Sequence, residues 1–336
     1  MSNDSAILRE IAEIPTVLRQ SSAVQFEAIG KAVHALGGEK PRLLATMGRG
    51  SSDHAATFLR YAFGISLGIP GSSISPSMSS IYGRQLDLKG ALCLVVSQSG
   101  RSPDIVRAAG MARRGGALVA TIVNDMSSPL AKEVDVVIPI NAGEERAIAA
   151  TKSFMGAAAA GLRLLTILSS DASLRRALDT LPDVLEQTDR NHTIDLFAIV
   201  KARTAFVIGR GPALGIAQEA ALKLKEIVQF PAEAYSSAEV RHGPWQLGQT
   251  DCALVGWKTD AVSSESQNAV VSAYRALGRP VLDLQDIGRR SAENLGNMIA
   301  PLIPLPGFYR ALVMAAMQLG LDPDRPKLLS KVTETI

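Results

Sequence analysis

The chain has 336 residues, with 35 Lys and Arg against 32 Asp and Glu, 47% hydrophobic and 20% charged residues. That balance excludes an intrinsically disordered chain, and a net charge of +3 with no block of like charges argues against a nucleic acid or other polyanion as partner. Aromatic residues make up 4%, too few for the stacking platforms of RNA-binding or lectin-type surfaces.

In chain order, residues 1–22 read as a helical arm interrupted at Pro15. Acids stand where a signal peptide needs an apolar stretch, and no run approaches the roughly 20 apolar residues of a membrane span, so a cytoplasmic protein with no membrane partner is expected. Apolar runs bounded by turn residues predict strands at 42–47, 91–96, 117–123 and 134–140, with segments of helical periodicity between them. A helical linker over 171–193 leads to four more predicted strands, at 204–208, 251–256, 280–284 and 301–305. The tail, 321–336, is too short to fold alone and must dock or be loose, with Leu328 and Leu329 as its apolar anchors. Alternating strands and helices predict an α/β fold of two domains, 23–170 and 194–320, each a mostly parallel sheet flanked by helices in three α/β/α layers.

The two blocks match in register. Gly48-Arg49-Gly50 recurs as Gly209-Arg210-Gly211, 161 residues later; Val119 and Val281 are 162 apart, and Ile138-Pro139 and Ile303-Pro304 are 165 apart. A nearly constant offset predicts a tandem duplication.

The run SQSGRSPD places the hydroxyls of Ser97, Ser99 and Ser102 and the amide of Gln98 around a flexible Gly100, between a strand and a helix. A helix start presents unpaired N–H groups, so this is what a phosphate monoester needs. A polar turn with Ser102 as N-cap and Pro103 in the first helical position accounts for part of the same pattern. GRGSSD, residues 48–53, lacks the third glycine of a dinucleotide fingerprint, and the next strand ends in Ser97 where a ribose-binding acid belongs, which argues against a nicotinamide cofactor. GISLG, residues 64–68, has the spacing of a nucleophile elbow but closes a helical segment, and is read as a helix terminus.

ALKLKE puts Lys223 and Glu226 on one helix face with Glu219 one turn earlier, either a salt-bridged solvated face or a catalytic group. His242, in RHGPW, is one of four histidines and stands in a turn where a core imidazole is out of place; His34, His54 and His192 lack metal-ligand spacing. Cys93 and Cys252 lie in separate apolar runs, which suggests neither a disulfide framework nor a cysteine-based zinc site. Lys331 is a solvated tail lysine unless the tail folds back over a site, where loss of water would favour the nucleophilic amine.

Together the doubled unit, SQSG, ATKSF (150–154), EAALKLKEIV, AEAYSSAEVRHGP and the terminal LSKVTET resemble the tandem sugar-isomerase (SIS) proteins, with the pattern of the isomerase half of the glucosamine-6-phosphate synthases (glutamine–fructose-6-phosphate aminotransferases). The resemblance covers nearly the whole chain. It implies that Ser97, Gln98, Ser99 and Ser102 form a sugar-phosphate loop, with a further contact from Ser52. By the same resemblance, Glu226 moves a proton between C1 and C2, and His242 helps to open the sugar ring from the neighbouring subunit of a homodimer. Lys331 then forms an imine with the open-chain ketose, and Lys223 lies near the reacting carbons. No metal or other cofactor is implied.

Two departures bear on the reaction. The synthases carry an N-terminal glutaminase domain with a nucleophilic cysteine, whereas MSNDS leads directly into the SIS part. Arg101, Ser102 and Pro103 stand for the synthases' Glu-Thr-Ala, and Ala150 for their Ser, features more like the SIS-type glucosamine-6-phosphate deaminases. The expected activity is therefore that of an amino-sugar phosphate deaminase/isomerase, turning glucosamine 6-phosphate into fructose 6-phosphate and ammonia. A fructosamine-phosphate deglycase and a ketose–aldose phosphate isomerase are the alternative enzymes, and a sugar-phosphate-binding regulator is the alternative without catalysis.

Overall fold

The computed structural model describes residues 5–288 and 295–331; residues 332–336 of the expected catalytic tail and 1–4 of the arm lie outside them. Among the described residues, nine strands form two sheets in which every neighbouring pair is parallel. The first contains β1 (Leu43–Met47), β2 (Gly71–Ser73), β3 (Ala91–Ser97), β4 (Leu118–Val123) and β5 (Val136–Pro139), in the order β2-β1-β3-β4-β5. The second contains β6 (Thr204–Gly209), β7 (Ala232–Ser236), β8 (Cys252–Gly256) and β9 (Val281–Asp283), in the order β7-β6-β8-β9. Helices connect the strands, as the alternation in sequence predicts.

The chain divides into two compact units, each with one sheet. The first takes in residues 16–145 and 152–175 together with Ser330 and Lys331, and the second takes in 5–15, 146–151, 176–288 and 295–329. Within the first, β3 is buried along its whole length, which its unbroken apolar run LCLVV permits because both faces are covered. Met47, Cys93, Val95, Ile105 and Met111 share its core, and Phe206, Ile208, Leu254, Val271 and Tyr274 share that of the second.

The duplication is written into the hydrogen-bond registers. Leu44 pairs with Gly71 and Ala205 with Ala232, both 27 residues apart; Leu43 pairs with Ala91 and Thr204 with Cys252, both 48 apart. The repeated GRG has a shared cause. A Cβ on Gly48 would lie 2.7 Å from Asp53 N, and one on Gly209 2.4 Å from Ala213 O, because the next helix packs its first turn on the strand end. Gly50 and Gly211 take φ of +53° and +57°, a left-handed backbone that costs glycine little.

Several expectations are corrected. Residues 301–305 are helical, not a strand: a 3₁₀ turn at Ala300–Leu302 precedes the helix Leu305–Gln318. Pro301 and Pro304 have no N–H for a ladder but fit the first turn of a helix, and the buried run that contains them does not by periodicity alone distinguish strand from helix. The match of Ile138-Pro139 with Ile303-Pro304 is therefore not a pair of equivalent strands. β2 and β7 were not foreseen, because a short edge strand needs no apolar run.

Ala300–Gln318 is also long and apolar enough, by length and composition, to cross a membrane, contrary to expectation; 78% of its apolar 18-residue window is buried inside the protein, as befits a core helix. The arm breaks at Glu13, between helices Ala6–Ala12 and Ile14–Ala35, which leaves Pro15 in a first turn where its missing N–H costs nothing. GISLG is a helix end as expected, closed by Gly68 at φ +68° with its N–H on Gly64 O.

Candidate functional site

In the first sheet the chain passes from β1 outward to β2 and then returns to β3 on the other side, so strand order reverses between β1 and β3. In open parallel sheets, ligands bind outside the carboxyl ends of the strands at such a reversal. The two loops that leave those ends are GRGSSD and SQSGRS. Ser52 is the second residue of helix Ser51–Leu67 and is half-buried, with its N–H on Arg49 O at 3.1 Å.

The 97–102 loop is held by its own serine hydroxyls and by neighbouring backbone N–H groups. Gly100 N–H donates to Ser97 Oγ at 3.0 Å and Arg101 N–H to Ser99 Oγ at 3.3 Å. Leu130 N–H donates to Gly100 O at 3.1 Å, and Asn124 N–H to Gln98 O at 3.2 Å. Gly100 has no substitute: its φ is +63°, and a Cβ there would lie 2.3 Å from Ser128 Oγ. Ser102 occupies the N-cap of helix Pro103–Arg114 and Pro103 its first position, but the Ser102 hydroxyl makes no capping bond. The polar-turn reading thus explains the position of Ser102 and leaves its hydroxyl available, beside a helix end suited to an anion.

The same unit holds Lys331, which is half-buried with Nζ 3.0 Å from Glu145 Oε2. Glu145 is buried and also accepts from Ser153 N at 3.0 Å and Ser153 Oγ at 2.6 Å, while Lys152 Nζ donates to Glu144 O at 2.6 Å. Lys331 is therefore docked, but not by the expected leucine anchors. Leu328 is 97% exposed and Leu329 is exposed as well, and an ion pair replaces them.

In the second unit, helix Ala213–Val228 presents Glu219, Lys223 and Glu226 on one face. Lys223 is fully buried and bridges Glu219 Oε1 at 3.2 Å and Glu226 Oε2 at 2.5 Å, while Tyr309 Oη donates to Glu219 Oε1 at 3.2 Å. Burial alone pushes the Lys223 ammonium toward neutrality, but the charges and hydrogen bonds of Glu219 and Glu226 outweigh it, and its pKa is raised. The solvated-face reading is thus wrong for Lys223 and Glu219; only Glu226 keeps some accessibility, 20% of its side chain. His242 is exposed at the joint of two 3₁₀ turns, Glu239–Arg241 and Gly243–Gln249, and its side chain makes no hydrogen bond among the described residues.

Lys223→Met is expected to destabilise the protein by about 3–5 kcal/mol, because it leaves a buried carboxylate without its counter-charge. Urea unfolding at neutral pH measures this, and a loss below 1 kcal/mol would refute the pairing energy. The sign with pH follows from the raised pKa. The stabilisation is complete below the unfolded value of about 10.4 and fades as pH rises through the folded one.

Burial pushes the Cys93 thiol up to about 12 and also raises that of Cys252, so neither is a nucleophile at neutral pH. Among the described residues, no group of three or more His, Cys, Asp or Glu side chains is placed to hold a metal ion.

Arg49, Glu145 and Tyr309 join these constellations without having been singled out in the sequence. Arg49 carried a usable signal, as the one side chain between two obligatory glycines at a strand's carboxyl end. Glu145 and Tyr309 carried none, since their partners lie 186 and 90 residues away.

The SIS domain model matches residues 39–166 and 198–282. The isomerizing glutamine–fructose-6-phosphate aminotransferase of Pyrobaculum aerophilum is 31% identical over 97% of this chain and 56% of its own length, and that of Sulfurisphaera tokodaii 28% over the same shares. The chain thus spans about half the length of the curated relatives it matches. Among solved structures, a candidate phosphosugar isomerase from Silicibacter pomeroyi superposes with a TM-score of 0.87 at 36% identity, over 95% of this chain and 100% of that one. A glucosamine-6-phosphate deaminase from Thermotoga maritima shares the fold, with a TM-score of 0.77 at 22% identity over 98% and 100%.

Proposed function

The chain belongs to the SIS domain family, and from that premise we propose that it is a sugar-phosphate isomerase that deaminates an amino-sugar phosphate, with glucosamine 6-phosphate as substrate and fructose 6-phosphate and ammonia as products. The observation that carries this reading is the state of Glu226, a carboxylate oriented by a wholly buried lysine at 2.5 Å while 20% of its side chain stays exposed. A binding protein needs only the serine loop; a base held in this way is what proton transfer between adjacent carbons requires.

In this reading Ser52, Ser97, Gln98, Ser99 and Ser102 hold the phosphate. His242 opens the ring, serving the neighbouring subunit of a homodimer. Glu226 takes the proton from C2 and returns it to C1 while a proton passes from the amine nitrogen to O1, so the C1 aldehyde becomes a hydroxymethyl group and the C2 amine an imine; the Lys223 ammonium offsets charge that builds on the sugar oxygens. Lys331, its proton passed to Glu145, attacks C2 and displaces ammonia, and water then releases the ketose and restores the lysine.

Ammonia release from a panel of phosphorylated amino sugars and fructosamines tests the reading. Release from glucosamine 6-phosphate with fructose 6-phosphate formed in equal amount is expected. Amine release only from fructosamine phosphates, or isomerisation without ammonia, would replace it. Ser99→Ala is expected to weaken sugar-phosphate binding by roughly ten- to a hundredfold, the scale of one charge-assisted hydrogen bond. Calorimetry reads this, and equal affinity of the wild type for phosphorylated and unphosphorylated sugar would sink the phosphate assignment.

A further inference from the structure

We infer that Arg49 is a specificity-determining residue that makes the site select phosphorylated over unphosphorylated sugars. The inference rests on the proposed reading of the 97–102 loop as a sugar-phosphate site. That loop supplies hydroxyls, an amide and a helix end, but its own cation is engaged elsewhere: Arg101 Nη2 lies 2.7 Å from Asp125 Oδ2, on a carboxyl held below its usual range by the hydroxyl and N–H of Ser127 and by Arg101 itself.

Arg49 is placed to supply the missing charge. It stands between Gly48 and Gly50 at the carboxyl end of β1, the strand beside β3, so its root is set by one position with no room for a Cβ and one with a positive φ that favours glycine. Its Nε and Nη2 donate to Asp104 Oδ2 at 3.1 and 2.8 Å. Asp104 is the second residue of helix Pro103–Arg114, two residues after Ser102; its side chain is wholly buried, and its other oxygen accepts from Ile105 N at 2.8 Å. The guanidinium is therefore fastened at the first turn of the helix that the loop begins.

Two physical consequences follow. A buried carboxylate in that turn would by itself repel a phosphate dianion, and Arg49 offsets it. The fork then still has donors, since Asp104 takes two of the five N–H groups and the side chain is 50% exposed. The duplication provides an internal control. Arg210, between the repeat's two glycines 161 residues later, donates to Ser236 Oγ at 3.2 Å and, among the described residues, not to a carboxylate.

The test is calorimetric binding of fructose 6-phosphate and of fructose to the full chain, for wild type, Arg49→Gln, Arg49→Lys and Arg210→Gln, each checked for folding by its thermal melt. Arg49→Gln is expected to bind fructose 6-phosphate roughly ten- to a hundredfold more weakly with fructose unaffected. Arg49→Lys should recover part of the loss, and Arg210→Gln should match wild type. Wild-type discrimination between the two ligands that survives unchanged in Arg49→Gln would overturn the inference and leave the phosphate site standing. An equal loss for both ligands would overturn it too, by reducing Arg49 to a structural role. If Arg49→Gln does not fold, Arg49→Lys decides, because a guanidinium selective for phosphate predicts weakened phosphosugar binding there and a purely structural one does not. Absence of discrimination in the wild type would instead remove the phosphate reading itself.

Discussion

Glu226→Gln is expected to lower turnover by about 10²–10⁴-fold, the usual scale of a positioned base, while KM changes little. The amide keeps the shape of the side chain and an oxygen for the Lys223 ammonium, and Lys223 retains Glu219, so the helix Ala213–Val228 has no reason to unfold. Only the capacity to take a proton is lost. The sharper measurement is solvent deuterium at C1 or C2 of recovered sugar phosphate, and undiminished exchange in the variant would move the role to another group. The same variant tests the homodimer. If His242 serves the neighbouring subunit, a mixture of Glu226→Gln and His242→Ala protomers regains activity that neither has alone, because some sites then contain both native groups. No recovery after verified subunit exchange would place His242 in its own subunit's site.

Lys331→Met is expected to cost at least about 10² in turnover, again the scale of one positioned catalytic group, without loss of stability comparable to that of Lys223→Met. The difference lies in surroundings. Lys223 is wholly buried between two carboxylates, whereas Lys331 keeps a quarter of its side chain exposed and Glu145 keeps its two bonds from Ser153. In the proposed mechanism Glu145, 3.0 Å from Nζ, would receive the ammonium proton before the amine attacks the C2 imine. Deleting residues 327–336 should abolish turnover equally and leave the protein folded. Asp324, which precedes the cut, holds the first turn of helix Ala6–Ala12 through Ser5 Oγ, Ala6 N and Ile7 N at 2.8–2.9 Å. Borohydride with substrate should trap a sugar adduct on Lys331. An inactive Lys331→Met enzyme with no wild-type adduct would make the lysine an electrostatic group, and an active truncation would remove the tail from catalysis altogether.

Short-range pattern along the chain encodes a definite part of the molecule. Seven of the nine strands among the described residues show as apolar runs, the duplication shows in the repeated GRG, and the serine loop shows as polar residues placed between a strand and a helix. Lys223 and Glu226 share a helix face because three residues are nearly one turn. Each of these follows from spacing within about one structural element. The remaining features come from long-range packing. The edge strands Gly71–Ser73 and Ala232–Ser236 exist because β1 and β6 offer them a ladder, not because their residues ask for one. Residues 301–305 are helical because prolines cannot donate to a sheet. Lys331 is docked by a carboxylate 186 residues away and Arg49 by one 55 residues away. Such pairings are set by which strand ends and helix starts the fold brings side by side, a property of strand order that leaves no periodic trace along the chain.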